Sequence, residues 1–543
     1  MESLYETYSQ RAMRNSSTSW LASSALVPTR SAQAAGPWGE VHFPISCQPS
    51  VQAAFDQAVA MLHSFEFGAA GKTFDVVAHD DPACAMAYWG LATTAMGSLF
   101  AGRTGPVALE KGWDLVQQAK ALGAKTPREQ AYIAAAEAFY RDADKRGFAQ
   151  RMRAYADALE QIYIKYPDDP EAEIFYGYAV AALAPPTDKA HAYELKGAAI
   201  LERAFARNPN HPGAAHYLIH AYDHTPIAVR GLAAARRYAT IAPSAPHALQ
   251  IPSHIFARLG LWQDSIDANR AAAKVDNLFW KFLAMDFLLY SYLQTGQDHA
   301  AKTVLDEFTA VETINIHHLN IAYVLADMPA RYAVERRRWD EAAAITLPKS
   351  EYPWPQYPQA EAVLVFVHAL GAARTGDATG ASKDLDRLQE LRANLVRAPG
   401  DAFKEYWLIQ IDVHRQMVTA WIAHTQGKHE EALRTLRTVA DQEDAIERDP
   451  VVPAPIISAR ELLGEMLLES DEPRQALSAF VASLKEEPAR FWSLYGAAQA
   501  AERAGDRERA TSFYAQLVAQ TVHADADHSA LKAARTFLQM PKS

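Results

Sequence analysis

The chain has 543 residues, which is more than one compact core normally holds, so it specifies either several domains or a repeat array that grows by adding units. Its formal net charge is −11, from 53 basic and 64 acidic residues with no basic stripe, so we expect no nucleic-acid partner. No window holds the roughly 18 uninterrupted apolar residues of a membrane span, so no span is expected.

The first 40 residues are rich in serine and alanine and have little periodicity, which predicts a disordered or targeting tail. Within it, the stretch that starts at Met13 ends in an A-x-A pattern at 32–34 and faintly resembles an export signal. Its apolar part is short and diluted by serine. The compartment is therefore left open between the cytoplasm and export.

Cys47 and Cys84 are the only cysteines, which excludes a zinc framework of cysteines and a disulfide-rich scaffold. Cys47 lies just before the first predicted helix and Cys84 begins the third, so the two can be neighbours. The two cysteines either form one disulfide bridge or are two small buried residues. If the protein is exported, we expect the bridge.

A period of about 34 residues begins near residue 51 and indicates pairs of helices. With Pro82 at position 32 of the unit, Ala58 and Ala70 occupy the small-residue positions and Phe74 the large-residue position. Small residues let two helices approach closely, the large residue fills the gap to the next unit, and proline ends the second helix. Four later units repeat this pattern, around Gly376, Gly427, Pro488 and Gly505.

This pattern predicts an all-α fold, a tetratricopeptide-repeat α-solenoid in which helix pairs form a right-handed superhelix. We expect one continuous helical array over residues 41–530, followed by a C-terminal tail at 531–543. The regular repeats are predicted near residues 51–82, 212–315, 362–446 and 457–524.

Histidines concentrate in one part of the array, because six of the 19 lie between His211 and His254. His216 and His220 are four residues apart in an alanine-rich helical run, which stacks both imidazoles on one helical face. His247 and His254 are seven apart, on one face of the next-but-one helix. His224 precedes a predicted helix end and is interpreted as a capping residue.

The repeat phase assigns these four histidines to first helices, which in tetratricopeptide repeats line the concave groove. Asp286 and Tyr290 fall at the equivalent groove positions of the following unit. Neutral imidazole is a common ligand of zinc, copper and iron, so His216 and His220, with His247 or His254, are predicted metal ligands. Asp286 and Tyr290 are then predicted catalytic residues near the substrate. The alternative is that these histidines are polar residues packed against aromatic neighbours.

Several motifs resemble a group of bacterial and fungal tetratricopeptide-repeat proteins over about residues 40–520. They are VHFPISC at 41–47, LHSFEF at 62–67, DPACAMAYWG at 81–90, KTPREQAYI at 125–133, YPDDPEA at 166–172, PPTDKA at 185–190, HPGAAHYLIHAYD at 211–223, APSAPHALQIPSHIFARLGLW at 242–262 and ARELLGE at 459–465. The resemblance implies a repeat protein, in some members exported and in some encoded beside metabolite-biosynthesis genes. Relatives often carry histidine where Leu283 and Gln250 stand here.

Two functions from different classes follow. The first is a binding module whose histidine-lined concave groove takes a peptide, a protein or a small molecule. The second is a metal-dependent enzyme, such as an oxygenase or oxidase of specialised-metabolite biosynthesis, with copper, iron or zinc as cofactor. The metal content of the purified protein discriminates between them.

Overall fold

The computed structural model describes residues 36–185, 188–398, 403–447 and 452–540. Every regular element in these ranges is an α-helix or a short 3-10 helix, and the ranges contain no strand. The prediction of an all-α helical-repeat fold is therefore confirmed. The predicted tail falls mostly on residues 1–35, which lie outside the described ranges. None of the helices described is long and apolar enough to cross a membrane.

Consecutive helices pack against one another along the chain. The first half contains α1 Gln52–His63, α2 Phe67–Asp80, α3 Ala85–Met96, α4 Pro106–Leu122, α5 Pro127–Tyr140, α6 Phe148–Lys165, α7 Pro170–Ala181, α8 Ala192–Arg207, α9 Pro212–Ala221, α10 Leu232–Ile241, α11 Pro246–Gln250, α12 Pro252–Arg258 and α13 Trp262–Ala272. The second half contains α14 Leu278–Gln294, α15 Asp298–Thr309, α16 Leu319–Glu335, α17 Trp339–Ala342, α18 Pro358–Arg374, α19 Ala378–Arg397, α20 Lys404–Thr425, α21 His429–Asp444, α22 Ala459–Glu469, α23 Pro473–Glu486, α24 Phe491–Arg503, α25 Arg507–Gln520 and α26 Ser529–Gln539. Short 3-10 helices span Pro49–Val51, Leu99–Ala101, Ala228–Gly231 and Trp354–Gln356.

The packing between units follows the predicted pattern of small and large residues. The ring of Phe480 on α23 lies against Gly464 on α22 and Gly496 on α24. A Cβ atom added at these glycines would meet the ring at 2.7 and 2.3 Å, which is closer than carbon atoms can approach without displacement. The large residue therefore fills a gap that only glycine leaves open on both sides.

The structure differs from the sequence prediction at two helices. The run that contains His247 and His254 is not one helix but two, α11 and α12, because Pro252 has no N–H group to continue the helical hydrogen bonds. In the region predicted to be a C-terminal tail, α26 buries Leu531, Ala534 and Phe537. These three residues recur at helical spacing, which explains why this segment is a packed helix.

Cys47 and Cys84 form a disulfide, with their Cα atoms 5.1 Å apart. The bridge joins the segment before α1 to the N-terminal end of α3, so it fixes the first helix pair to the next helix. Of the two interpretations that the sequence left open for the cysteines, the structure has the bridge. Gln48 also donates its backbone N–H to Asp81 at 2.8 Å, which supports the same junction.

Three buried arginines hold the non-helical segment 452–456, which precedes α22. Each guanidinium donates to backbone carbonyls of the segment: Arg258 to Val452 and Pro453, Arg331 to Ala454 and Pro455, and Arg490 to Pro455 and Ile456. The arginines come from α12, α16 and the residue before α24. The segment therefore crosses the face of helices α12 to α16, and the chain covers this face with its own backbone.

Carboxylates neutralise the three guanidinium groups. Arg258 pairs with Asp223 at 3.0 Å, Arg331 with Asp327 at 2.7 Å, and Arg490 with Glu461 at 2.6 Å. The partners are also buried, so none of these charges is left uncompensated in the interior.

The C-terminal helices return to the middle of the array. Trp262 donates its indole N–H to the carbonyl of Ala489 at 3.3 Å. Gln294 accepts the backbone N–H of Phe491 at 2.8 Å, and the backbone N–H of Asp525 donates to Gly296 at 2.9 Å. These bonds dock the end of the chain on the turns that follow α12 and α14.

Candidate metal centre

Three of the predicted ligands converge on one point. His216 and His220 lie one turn apart on α9, and His247 lies on α11. The Nε2 atom of His220 is 3.1 Å from that of His216 and 3.3 Å from that of His247. An ion about 2.0–2.1 Å from each of three nitrogens in tetrahedral geometry would hold those nitrogens about 3.3–3.4 Å apart. The two distances from His220 therefore match a metal site with little adjustment, and all three ligand atoms lie within 4.8 Å of one another.

The ring of His216 is oriented by a backbone group. Its Nδ1 lies 2.6 Å from the carbonyl oxygen of His63, at the C-terminal end of α1. A carbonyl only accepts, so Nδ1 carries the proton and donates, and Nε2 presents a lone pair to the other two histidines. Metal-bound histidines are commonly oriented in this way, with the second ring nitrogen donating to a carbonyl or carboxylate.

Burial keeps the three imidazoles neutral. It lowers the pKa of His216 to about 3, and it lowers the pKa values of His220 and His247 well below the ordinary value, with His216 adding to the effect. A single proton on the Nε2 of His220 can be donated to only one of its two neighbours. A cation would satisfy all three nitrogens together.

Aromatic rings enclose the three histidines. Phe65 contacts His216 edge-on at 4.3 Å between ring centroids, Phe100 stacks on His220 at 4.7 Å, and Trp280 lies 4.2 Å from His247. His216 is 0% exposed and His247 is 5% exposed, whereas His220 is half-buried. The histidines therefore do not line an open groove as predicted. Phe65, in the turn between α1 and α2, and Phe100, in the 3-10 helix Leu99–Ala101, cover them.

The fourth predicted ligand, His254, belongs to a different network. Its Nδ1 is 2.7 Å from Asp223, which also pairs with Arg258, and its Nε2 is 3.0 Å from the side-chain nitrogen of Gln250. Its ring stacks on Phe287 at 4.3 Å. Both ring nitrogens are therefore engaged, and His254 is not one of the three that converge.

Tyr290 packs in one cluster with Ala454 of the segment that the arginines hold, and Asp286 lies near Arg331. Both are 2% exposed. Burial, with Asp327 adding to it, raises the pKa of Asp286 well above its ordinary value. Tyr290 packs edge-on against Trp262 at 5.4 Å. Among the contacts of the described residues, neither side chain touches the three histidines, and their predicted catalytic role stays a prediction.

A buried hydrogen-bond network around Glu171 lies behind the three converging histidines. Glu171 accepts from Nε2 of His63 at 2.8 Å and from Nε2 of His211 at 2.9 Å. The other nitrogen of His63 bonds the hydroxyl of Tyr217 at 3.0 Å, and that of His211 accepts the backbone N–H of Ala214. All ring nitrogens here have partners, so this group is a saturated hydrogen-bond network rather than a second metal centre.

Four residues around the site were not predicted from the sequence: Glu171, Phe65, Glu66 and Phe100. Three of the four lie in quoted motifs, Phe65 and Glu66 in LHSFEF and Glu171 in YPDDPEA, and this was the only signal for them. Glu66 accepts a hydrogen bond from Trp280 at the edge of the histidine cluster, and burial raises its pKa to about 7.

Comparison with known proteins adds only distant structural likenesses. No family model and no curated protein matches the chain. Human IFIT1, as a dimer with m7Gppp-AAAA, is similar over 81% of this chain and 90% of its own, with 12% identity and a TM-score of 0.38. Naa15/Naa10 bound to HypK-THB is similar over 90% and 78%, with 12% identity and a TM-score of 0.25. These scores carry no argument about a ligand, so the predicted lack of a nucleic-acid partner stays a prediction.

Proposed function

We propose that this helical-repeat protein binds one divalent transition-metal ion through the Nε2 atoms of His216, His220 and His247, and that the ion serves a small-molecule reaction. The observation that supports the proposal is the convergence of these three atoms at 3.1 and 3.3 Å, with one ring oriented by a backbone carbonyl. Imidazole ligands suit copper, iron and zinc, the three metals expected from the sequence.

The ligand count favours an enzyme over a structural site. Structural zinc sites are usually closed by four protein ligands, whereas catalytic sites have three and keep one position for water or substrate. In the part of the chain that the structure describes, the group of possible ligands around this point contains three histidines and no carboxylate or thiolate. The open position would let the ion polarise a substrate or activate a water molecule.

The surroundings of the metal centre restrict the kind of molecule that can reach it. The ring walls of Phe65, Phe100 and Trp280 are apolar, and only His220 has appreciable solvent exposure. A folded protein or a long peptide cannot reach a buried centre of this kind. The binding function predicted for the groove is therefore proposed here for a small, largely apolar molecule.

Titration with Co²⁺ tests the metal site, because tetrahedral Co²⁺ gives visible absorption whose intensity reports the coordination. We expect the wild-type protein to develop this absorption and His220→Gln and His247→Gln to weaken binding at this site by at least about 100-fold, since each removes one of three ligands. His414→Gln is the matched control, because His414 is a partly buried histidine that stacks on Phe366, away from the site. Wild-type affinity in both cluster variants would refute the proposal.

Azide addition to the Co²⁺-loaded protein tests the open position. We expect the visible spectrum to shift as azide coordinates, and the part of the shift that comes from this site to be lost in His220→Gln. A spectrum that does not respond to azide would mean that the coordination sphere is closed, and the ion would then be structural rather than catalytic.

A further inference from the structure

A second group of metal-ligating side chains lies away from the three histidines. His191, His224 and Glu447 bring one ligand atom each within 4.8 Å of one another. They are 3%, 8% and 5% exposed. His191 immediately precedes α8, His224 follows α9, and Glu447 follows α21, so the group joins two distant parts of the chain.

The two imidazoles face the carboxylate of Glu447 without forming hydrogen bonds to it. Nδ1 of His224 lies 3.3 Å from one oxygen of Glu447, and Nε2 of His191 lies 3.7 Å from the other. Both ring nitrogens of His191 and Nδ1 of His224 are buried and have no hydrogen-bond partner among the described residues. Buried polar atoms in this state are costly unless an ion or water occupies the space between them.

A further carboxylate, that of Glu194, lies near His224. Oε1 of Glu194 lies 3.6 Å from Nε2 of His224, on the side of the ring opposite Glu447. A proton on Nε2 would face Glu194 and leave the lone pair of Nδ1 toward Glu447 and His191. A small approach of Glu194 to this nitrogen would complete the arrangement of a carboxylate, a histidine and a metal that holds many metal-bound imidazoles in position.

We propose that His191, His224 and Glu447 form a second binding site for a divalent transition-metal ion, with Nε2 of His191, Nδ1 of His224 and a carboxylate oxygen as ligands and Glu194 as the outer partner. Two imidazoles and one carboxylate suit zinc or iron(II) and disfavour calcium and magnesium, which select oxygen ligands. The site is separate from the three-histidine centre and shares no residue with it.

A simple ion-pair network is the competing explanation, because Lys189 also approaches this group. Its ammonium is 3.0 Å from Glu486 and 3.8 Å from Glu447, so it is closer to Glu486. Lys189 supplies a positive charge but accepts no hydrogen bond. It therefore provides no partner for the ring nitrogens of His191 and His224. An ion held by His191, His224 and Glu447 would give the ring nitrogens of both histidines the partner that they lack among the described residues.

The ion would act as a cross-link. It would tie the ends of α8 and α9 to the segment after α21, next to the contact in which Thr225 donates its hydroxyl to the backbone of Glu486. Metal binding would then stabilise the docking of the C-terminal half on the first half, because an ion that binds only the folded arrangement shifts the equilibrium toward it.

The test uses the full-length chain with the first site removed, so that the two sites are measured separately. In the His220→Gln background, we expect Co²⁺ to bind one site per chain and to raise the melting temperature. Adding His191→Gln or His224→Gln should weaken this remaining site by at least about 100-fold and abolish the rise in melting temperature. His317→Gln in the same background is the control, since its ring packs on Tyr352 instead.

Two results would overturn the second site. One is a His220→Gln protein that binds no Co²⁺ under conditions in which the wild type binds it. The other is unchanged binding when His191→Gln and His224→Gln are added separately, each with native far-UV circular dichroism. If only the first site does not exist, the result is different. His220→Gln would then leave Co²⁺ binding unchanged, whereas His191→Gln would remove it.

Discussion

Replacing Glu171 by glutamine tests whether the buried network behind His216 supports the metal centre. The carboxylate accepts hydrogen bonds from His63 and His211, at 2.8 and 2.9 Å. The backbone N–H of Ala214 donates to the other nitrogen of His211, which leaves His211 as a donor toward Glu171. A glutamine has one oxygen and one NH₂ group in place of two accepting oxygens, so one histidine N–H would face another donor.

We expect Glu171→Gln to reduce both the stability of the fold and the affinity for the metal. Leaving one buried donor unsatisfied and removing the charge from the other hydrogen bond should lower the free energy of unfolding by about 2–4 kcal/mol. His63 also supplies the carbonyl that orients His216, at 2.6 Å. Displacing such an outer partner typically weakens metal affinity by about 10–100-fold, and we expect Glu171→Gln to do so.

Urea denaturation measures the first part and Co²⁺ titration the second. Glu202→Gln is the matched control on α8, because Glu202 is 43% exposed and its pair with Arg230 is worth at most about 1 kcal/mol. If Glu171→Gln unfolds at the same urea concentration as the control and binds Co²⁺ equally well, the network does not support the metal site as argued.

Two further predictions concern stability. Reducing the Cys47–Cys84 disulfide, whose cysteines are 37 positions apart, should lower the free energy of unfolding by about 4 kcal/mol, measured by urea denaturation with and without reductant. Two free thiols in unreduced, unfolded protein from its native source would contradict the bridge. Burial alone would raise the pKa of Glu461, but the positive charges of Arg490 and Arg337 lower it to about 2. The ionised carboxylate therefore stabilises the fold above the unfolded pKa of 4.5, and this stabilisation is lost as the pH falls from 4.5 to about 2. Acid unfolding followed by circular dichroism should occur in this window and be less steep in Glu461→Gln, and an equal slope would argue against this role.

Helical periodicity was sufficient for the fold and for two of the three converging ligands. The spacing of His216 and His220 is a local property of one helix, so it can be read directly from the sequence. The sequence does not decide which of His247 and His254 is the third ligand. The choice depends on Pro252, which divides the helix between them, and on Asp223, which holds His254 from 31 positions away.

The burial of the site was predicted wrongly because it depends on contacts between distant parts of the chain. The repeat phase assigns His216 to a concave surface, and nothing local indicates that Phe65 turns back to cover it. Tyr290 occupies an equivalent position, yet it is buried near Arg490, 200 residues further along. The repeat pattern describes neighbouring units and says nothing about a segment that returns to an earlier one.

The arginine-held segment at 452–456 changes how the array should unfold. In an open repeat array, each unit touches only its neighbours, so the terminal units can fray while the middle stays intact. Here Arg258, Arg331 and Arg490 fasten the segment to three separate elements through its backbone carbonyls. Releasing the last units together with this segment would leave two guanidinium groups of the remaining array, those of Arg258 and Arg331, without their carbonyl acceptors, so α12 to α24 should lose structure in one cooperative step. A chain truncated before residue 452 is then expected to be less soluble and less ordered than the loss of five helices from the end of a simple array would suggest.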